Sequence, residues 1–192
     1  MRFFIVTPMQ KSRHYKKAIP GFSLEEIWVA RMYDENMQKK LHRFKFVHNH
    51  VDSVYFASLF SSLIKESGIK NISEYLVVYP PISLKDRIFR GPNHAKKLAT
   101  LCVKTTEANT IFCPLKKKFF AGHQSRRTKS ERKQIQSEIF LKKHQEVFLK
   151  NKDILIIDDL ITTGHTAHTM GKLLKQAGAR TVQGLFLSSK KV

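Results

Sequence analysis

Two adjacent carboxylates lie where a buried strand is expected to end and a helix to begin. Asp158 and Asp159 follow the four apolar residues 154–157, and the hydroxyl-rich turn at residues 162–166 comes next. Ligands of open α/β sheets bind at the carboxyl ends of strands. Free backbone N–H groups and the positive end of a helix dipole attract a phosphate to such a turn. We therefore expect a phosphate-binding turn beside an acidic pair.

The acidic pair suits a sugar that carries the phosphate. Ionised carboxylates only accept hydrogen bonds, and two of them match the two hydroxyl groups of a ribose. The alternative is that the carboxylates cap a loop and the threonines begin a helix. A Walker-type loop is excluded, because Leu173 stands where that motif needs Ser or Thr. The predicted ribose 5-phosphate site consists of Asp158, Asp159, Thr162, Thr163, Gly164, His165 and Thr166, with the two aspartates as catalytic candidates.

Alternating strand and helix patterns position this turn. Four consecutive apolar residues at 154–157 are typical of a central parallel strand covered on both faces. The alternation predicts an α/β fold with a mostly parallel, doubly wound, Rossmann-like sheet. One domain at residues 28–192 follows, with residues 1–27 as a basic appendage. Apolar runs predict strands over residues 28–33, 76–79, 110–113, 154–157 and 181–187, and helical spacing predicts helices over 35–46, 54–64, 94–104 and 167–177.

The chain carries a large positive charge. Its 192 residues include 35 Lys and Arg against 15 Asp and Glu, a formal net charge of +20 at pH 7. Nucleic acid is the commonest partner of such a surface, although anionic lipid or a general preference for lysine gives the same composition. An exposed, mobile basic loop is expected over residues 116–133, and a merely solvated surface is the alternative. The predicted DNA-binding residues are Lys116, Lys117, Phe119, Arg126, Arg127, Lys129 and Arg132, and the basic helix from Lys39 to Lys45 is expected to contact DNA as well.

Several classes of protein are disfavoured by what the sequence lacks. The two cysteines, Cys102 and Cys113, do not have the spacing of a zinc knuckle. No apolar run reaches the roughly 18 residues of a membrane helix. The opening residues 1–9 lack a signal-peptide cleavage site. We expect a cytoplasmic protein with no protein-bound zinc and no membrane span.

The acidic pair and the Thr-Thr-Gly-x-Thr sequence after it resemble the phosphoribosyl pyrophosphate signature of type I phosphoribosyltransferases. Further segments resemble the ComF (competence protein F-like) family, and the resemblance spans roughly residues 28–187. Many relatives begin with a four-cysteine zinc module, which this sequence lacks. The segments are Tyr33-Asp34 with residues 41–46, Tyr79-Pro-Pro followed by Arg90-Gly91-x-Asn93-His94-Ala95, and Gln124 with Arg132 and Phe140.

The resemblance implies magnesium-dependent binding of phosphoribosyl pyrophosphate or ribose 5-phosphate. It further implies pentosyl transfer from phosphoribosyl pyrophosphate to an acceptor that the sequence does not identify, and handling of single-stranded DNA during natural transformation. A competence helicase or a membrane DNA channel is a candidate partner. The alternative function is a nucleotide-salvage transferase that joins a nucleobase to ribose 5-phosphate, but no base-specific motif is recognisable at the C terminus. The pyrophosphate loop implied by the resemblance contains Pro81, Arg87, Arg90 and Gly91.

Overall fold

The computed structural model describes residues 13–15, 22–47, 50–108, 110–118 and 139–190. The strands are β1 (Arg13–Tyr15), β2 (Glu26–Met32), β3 (Leu76–Val78), β4 (Thr110–Ile111), β5 (Leu115–Lys117), β6 (Ile139–Leu141), β7 (Asp153–Ile161) and β8 (Thr181–Ser189). The helices are α1 (Glu35–Phe46), α2 (His50–Ser67), α3 (Leu84–Arg90), α4 (His94–Thr106), α5 (Glu146–Leu149) and α6 (His165–Gln176), with a 3-10 turn at Ile72–Glu74.

Six of these strands form a mostly parallel sheet in the order β1-β2-β8-β7-β3-β4. Only the pairing of β1 with β2 is antiparallel among the described strands of this sheet, and the other four pairings are parallel. The strands β5 and β6 pair antiparallel as a separate two-stranded ribbon. The mostly parallel α/β sheet predicted from the sequence is therefore confirmed.

Alternate residues of β7 face two different hydrophobic cores. Leu155 and Ile157 pack in the core that contains residues of α1, α2 and α4. Ile154 and Ile156 pack in the core that contains residues of α6. This alternation follows from the two-residue period of a strand. Helices consequently cover both faces of the sheet, as the prediction of a doubly wound fold requires.

The sequence patterns gave some elements correctly and missed others. α1 has the predicted bounds, whereas the strand expected over 110–113 ends at Ile111. The expected mobile loop is wrong for Lys116 and Lys117, which lie in β5 and pair with Phe140 and Ile139 of β6. Their basic side chains concealed the strand, because its apolar burial comes from Leu115 and from Ile139 and Leu141 on the paired strand. Lys118 is exposed and follows the strand, and residues 119–133 lie outside the described residues.

The division between residues 1–27 and 28–192 stays a prediction. β2 begins at Glu26, β1 pairs with it, and Leu24 packs in the α6 core. No helix in the described part of the chain is long and apolar enough to cross a membrane.

Candidate functional site

The turn after β7 has a backbone conformation that favours glycine. Residues 162–164 connect β7 to α6, and Gly164 is the N-terminal cap with a φ of 74°. A β-carbon at Gly164 would lie 3.1 Å from the ring of Phe22. The positive φ favours glycine, and a β-carbon would also require the ring of Phe22 to shift. The first turn of α6 keeps backbone N–H groups that no intrahelical acceptor satisfies.

A small pocket of about 60 Å³ lies between this turn, the start of α6 and the end of β7. It brings together Asp158 and every predicted residue of the turn, while Asp159 is not in its wall. Its size and its position at the N-terminus of α6 suit a compact anion such as a phosphate. The pocket is lined by Pro80, Ile156, Asp158, Leu160, Ile161, Thr162, Thr163, Gly164, His165, Thr166, Ala167, Met170 and Phe186.

Asp158 is partly exposed to this pocket but otherwise surrounded by protein. Its Oδ1 accepts a hydrogen bond from the backbone N–H of Asp159 at 2.9 Å. Burial, followed by the negative charge of Asp159, raises the pKa of Asp158 well above its usual range, and the ammonium of Lys45 opposes that rise. Burial and the repulsion between the two carboxylates therefore make Asp158 hold its proton more tightly than an isolated carboxyl group does.

Asp159 makes its contacts on the other face of the sheet. Its Oδ2 is ion-paired with Nζ of Lys45 on α1, and both side chains are largely buried. Its backbone carbonyl accepts a hydrogen bond from Oγ of Ser188 on β8 at 3.0 Å. Lys45 was expected only as part of a DNA-binding helix and not at the ribose 5-phosphate site. Its contact with Asp159 spans too much of the chain for local spacing to indicate it.

The predicted pyrophosphate loop borders a larger cavity of about 620 Å³. Pro81 and Arg87 line it, whereas Gly91 ends α3 with a φ of 83°. The side chain of Arg90 lies outside what the structure describes. The structure also places two predicted DNA-binding residues, Lys116 and Lys117, in the wall of this cavity. The cationic residues of the wall are Arg87, Lys96, Lys116, Lys117 and Lys142.

Asn93 ties this loop to α4. Its Nδ2 donates to the carbonyl of Pro80 at 2.8 Å, and its Oδ1 accepts from the backbone N–H of Lys96 at 3.2 Å. One side chain therefore caps α4 and fixes the end of the loop that reaches the phosphate pocket. Sequence reasoning assigned no role to Asn93 beyond its place in the family resemblance.

Other predicted site residues lie beyond the described part of the chain, namely Phe119, Arg126, Arg127, Lys129 and Arg132. Among the residues that are described, no group of three or more His, Cys, Asp or Glu side chains could hold a metal ion. The absence of protein-bound zinc stays a prediction.

Residues 108–190, which include β7, the turn and α6, match the family model of the phosphoribosyl transferase domain. Competence protein ComFC of Streptococcus pneumoniae (strain ATCC BAA-255 / R6) is 30% identical over 183 residues, which cover 95% of this chain and 76% of the relative. The chain belongs to the ComFC family. The ComF membership predicted from the motifs is confirmed.

Solved structures with a related fold include two phosphoribosyltransferases. Hypoxanthine phosphoribosyltransferase from Staphylococcus aureus matches with a TM-score of 0.46 and 15% identity, covering 73% of this chain and 68% of that one. Purine phosphoribosyltransferase from Pyrococcus horikoshii Ot3 matches with a TM-score of 0.42 and 12% identity, covering 72% and 83%. The allosteric regulatory enzyme of purine biosynthesis matches with a TM-score of 0.45 and 18% identity over 70% of this chain. The chain spans about a quarter of that enzyme's length, since only 26% of it is covered.

Proposed function

We propose that this chain binds phosphoribosyl pyrophosphate together with Mg²⁺ and handles single-stranded DNA during natural transformation. The observation that carries the ligand assignment is the position of Asp158 in the wall of the pocket formed by the turn at residues 162–166. A phosphate and the hydroxyl groups of an attached sugar need those two kinds of partner side by side.

The ligand would lie across the carboxyl edge of the sheet. Its 5-phosphate occupies the small pocket, where the N–H groups of α6 and the hydroxyl groups of Thr162, Thr163 and Thr166 donate to it. Its ribose hydroxyls donate to Asp158 and Asp159. Its pyrophosphate extends toward the loop that carries Pro81, Arg87, Arg90 and Gly91.

The donor set fits a magnesium ion that the ligand carries rather than one caged by the protein. Mg²⁺ prefers oxygen ligands, keeps several waters and commonly binds through substrate phosphates. The described residues place only the two aspartates at this point, and they contain no cluster of three metal-binding side chains. When bound, Mg²⁺ would neutralise negative charge on the pyrophosphate.

Transfer chemistry at this site would depend on positioning. The bond from ribose to pyrophosphate breaks and a bond from ribose to an acceptor forms, so the protein must hold the sugar still while pyrophosphate leaves. Asp158, Asp159 and the phosphate pocket would fix the ribose from both sides. Arg87 and its basic neighbours would stabilise the charge that develops on the leaving group. The acceptor is not identified.

Three observations support the DNA part of the proposal: the net charge of +20, the basic wall of the larger cavity, and the competence protein at 30% identity. The ribbon of β5 and β6 holds both ends of the segment that contains the predicted DNA-binding residues Phe119, Arg126 and Arg127. Aromatic and cationic side chains together suit unpaired bases and their phosphates.

Isothermal titration of the protein with phosphoribosyl pyrophosphate tests the ligand assignment, with and without Mg²⁺. We expect binding that strengthens when Mg²⁺ is present, and weaker binding of ribose 5-phosphate, which lacks the pyrophosphate. Absence of binding by both ligands in the presence of Mg²⁺ would overturn the assignment. Absence of DNA binding with the ligand still bound would favour the salvage transferase instead.

A further inference from the structure

Lys45 connects α1 to the proposed ribose site. Its ammonium pairs with Asp159, one of the two carboxylates that would accept the ribose hydroxyls. A carboxylate oxygen engaged by an ammonium at close range is a poorer acceptor for an incoming hydroxyl group. In the free protein Lys45 therefore competes with the sugar for Asp159.

The packing of α1 holds Lys45 near this position. Phe44, the preceding residue, is buried and meets the ring of Phe56 edge to face at a centroid distance of 5.2 Å. Arg43 donates two hydrogen bonds of 2.9 Å to the carboxylate of Asp52 on α2, which is fully buried. These contacts fix the helix, while the long side chain of Lys45 keeps the freedom to reorient its ammonium.

The same lysine lines a third cavity of about 290 Å³, together with Pro92, Asn93, His94, Lys96, Lys97 and Thr100. Three lysines line it, and its lining contains no carboxylate. Lys97 is held in place, because its Nζ donates to the carbonyl of Phe44 at 2.8 Å and lies 4.0 Å from the centroid of that ring. This basic cavity is therefore a preformed environment for an anion.

The acidic pair lies between the two anion-binding environments. Asp158 is in the wall of the phosphate pocket, and Asp159 contacts the lysine that borders the basic cavity. Lys96 lies in the walls of both the basic cavity and the larger cavity that contains Arg87. A sugar over the acidic pair, with its 5-phosphate in the pocket, would extend a second anionic group toward this basic side.

We infer that Lys45 is an exchangeable counter-ion that makes the site selective for a ribose 5-phosphate carrying a pyrophosphate. On binding, the ribose hydroxyls replace the ammonium at Asp159. The ammonium of Lys45 then turns to pair with the pyrophosphate. A ligand without pyrophosphate must break the ion pair and gains no replacement for it. This inference rests on the proposed function and adds a specificity-determining residue to the same site.

Lys45→Met separates this role from a structural one, with titration of phosphoribosyl pyrophosphate and ribose 5-phosphate in the presence of Mg²⁺. We expect the affinity for phosphoribosyl pyrophosphate to fall about tenfold or more. The affinity for ribose 5-phosphate should stay the same or rise, because its competitor at Asp159 is gone. Lys45→Arg keeps the charge and should retain most of the preference for phosphoribosyl pyrophosphate over ribose 5-phosphate.

Lys104→Met is the matched control. Lys104 is exposed in the last turn of α4, and its substitution removes the same charge. It should leave both affinities unchanged. An equal loss for both ligands in Lys45→Met, or no change for either, overturns the inference while the proposed function stands. Failure of the parent protein to bind either ligand overturns both. If Lys45→Met does not fold, Lys45→Gln, which keeps hydrogen-bond donors without the charge, replaces it.

Discussion

Lys45 on α1 is ion-paired with Asp159 on β7, 114 residues further along the chain. The neighbouring Asp158 instead faces the phosphate pocket next to α6. Strand alternation explains the difference, because successive side chains point to opposite faces of a sheet. The two aspartates therefore contact different helices, Asp159 the lysine of α1 and Asp158 the pocket beside α6, on opposite faces of the sheet.

The position of α1 should depend on the buried carboxylate of Asp52. Arg43→Met removes both hydrogen bonds to it and leaves a fully buried charge without its guanidinium. We expect a loss of about 1 to 3 kcal/mol in the free energy of unfolding, measured by denaturant titration. The control is Lys39→Met, since the pair of Lys39 with Glu35 is well exposed and should matter by less than about 0.5 kcal/mol. Equal losses for the two variants would contradict this account of α1.

The parts of the site predicted from the sequence are those set by local spacing. The four apolar residues before Asp158 marked a buried strand, and the order of carboxylates, threonines and glycine marked the turn, but the expected strand end before Asp158 is wrong because β7 continues to Ile161. Each of these signals involves neighbours in the chain. The bounds of α1 were predicted correctly for the same reason, because Met37, Leu41 and Phe44 are buried at helical spacing.

The missed features depend on contacts that local spacing does not encode. α3 was not predicted because its seven residues are too few to show a sustained helical period, and its apolar residues Leu84, Ile88 and Phe89 are exposed. The contact of Lys45 with Asp159 depends on how α1 packs against the finished sheet. Only the tertiary structure distinguishes this lysine from the others of a chain that has 35 Lys and Arg.

Stability should fall with rising pH because of Asp158. Its pKa is raised in the folded protein, so the folded state keeps a proton that the unfolded chain has already released. The stabilisation is fully present below the ordinary aspartate pKa of about 3.9 and is lost as pH rises through the raised pKa. Asp158→Asn removes this loss. Denaturant titrations across that window should show the variant gaining stability relative to the parent as pH rises, and parallel curves would contradict the prediction.

Thr163→Val should weaken binding of ligands that carry a 5-phosphate. The variant removes one hydroxyl donor from the pocket wall and leaves a phosphate oxygen unpaired. We expect a cost of about 1 to 3 kcal/mol for ribose 5-phosphate and little change for ribose alone, both measured by calorimetry. Thr105→Val on α4 is the control, because that hydroxyl group bonds only to carbonyls of its own helix. Equal losses for both ligands would contradict the role of Thr163.

Binding of single-stranded DNA should be sequence-tolerant and sensitive to salt. Each neutralised phosphate lowers the slope of log affinity against log salt by about 0.7, so four to six contacts give a slope of roughly −3 to −4. Replacing Arg126, Arg127 and Lys129 with Ala should flatten this slope and weaken binding alike for all sequences. Phe119→Ala should lower affinity with little change in slope, because stacking releases no counterions.

A salt titration by fluorescence anisotropy checks both effects on DNA binding. The control replaces Lys65, Lys70 and Lys104, three exposed lysines of the α2 to α4 region, with Ala. This variant loses the same charge. Its slope of log affinity against log salt should stay steeper than that of the variant with Arg126, Arg127 and Lys129 replaced. The DNA part of the proposal fails if the parent protein shows no measurable binding at low salt.

Calorimetric titration of the double variant Asp158→Asn with Asp159→Asn, beside the parent protein, tests the central claim most directly. The amide side chains keep the size of the carboxylates but lose the charge and much of the capacity to accept from ribose hydroxyls. With Mg²⁺ present, the parent should bind phosphoribosyl pyrophosphate and the folded double variant should not. Binding of equal affinity by a double variant that circular dichroism shows to be folded would contradict the assignment of the acidic pair.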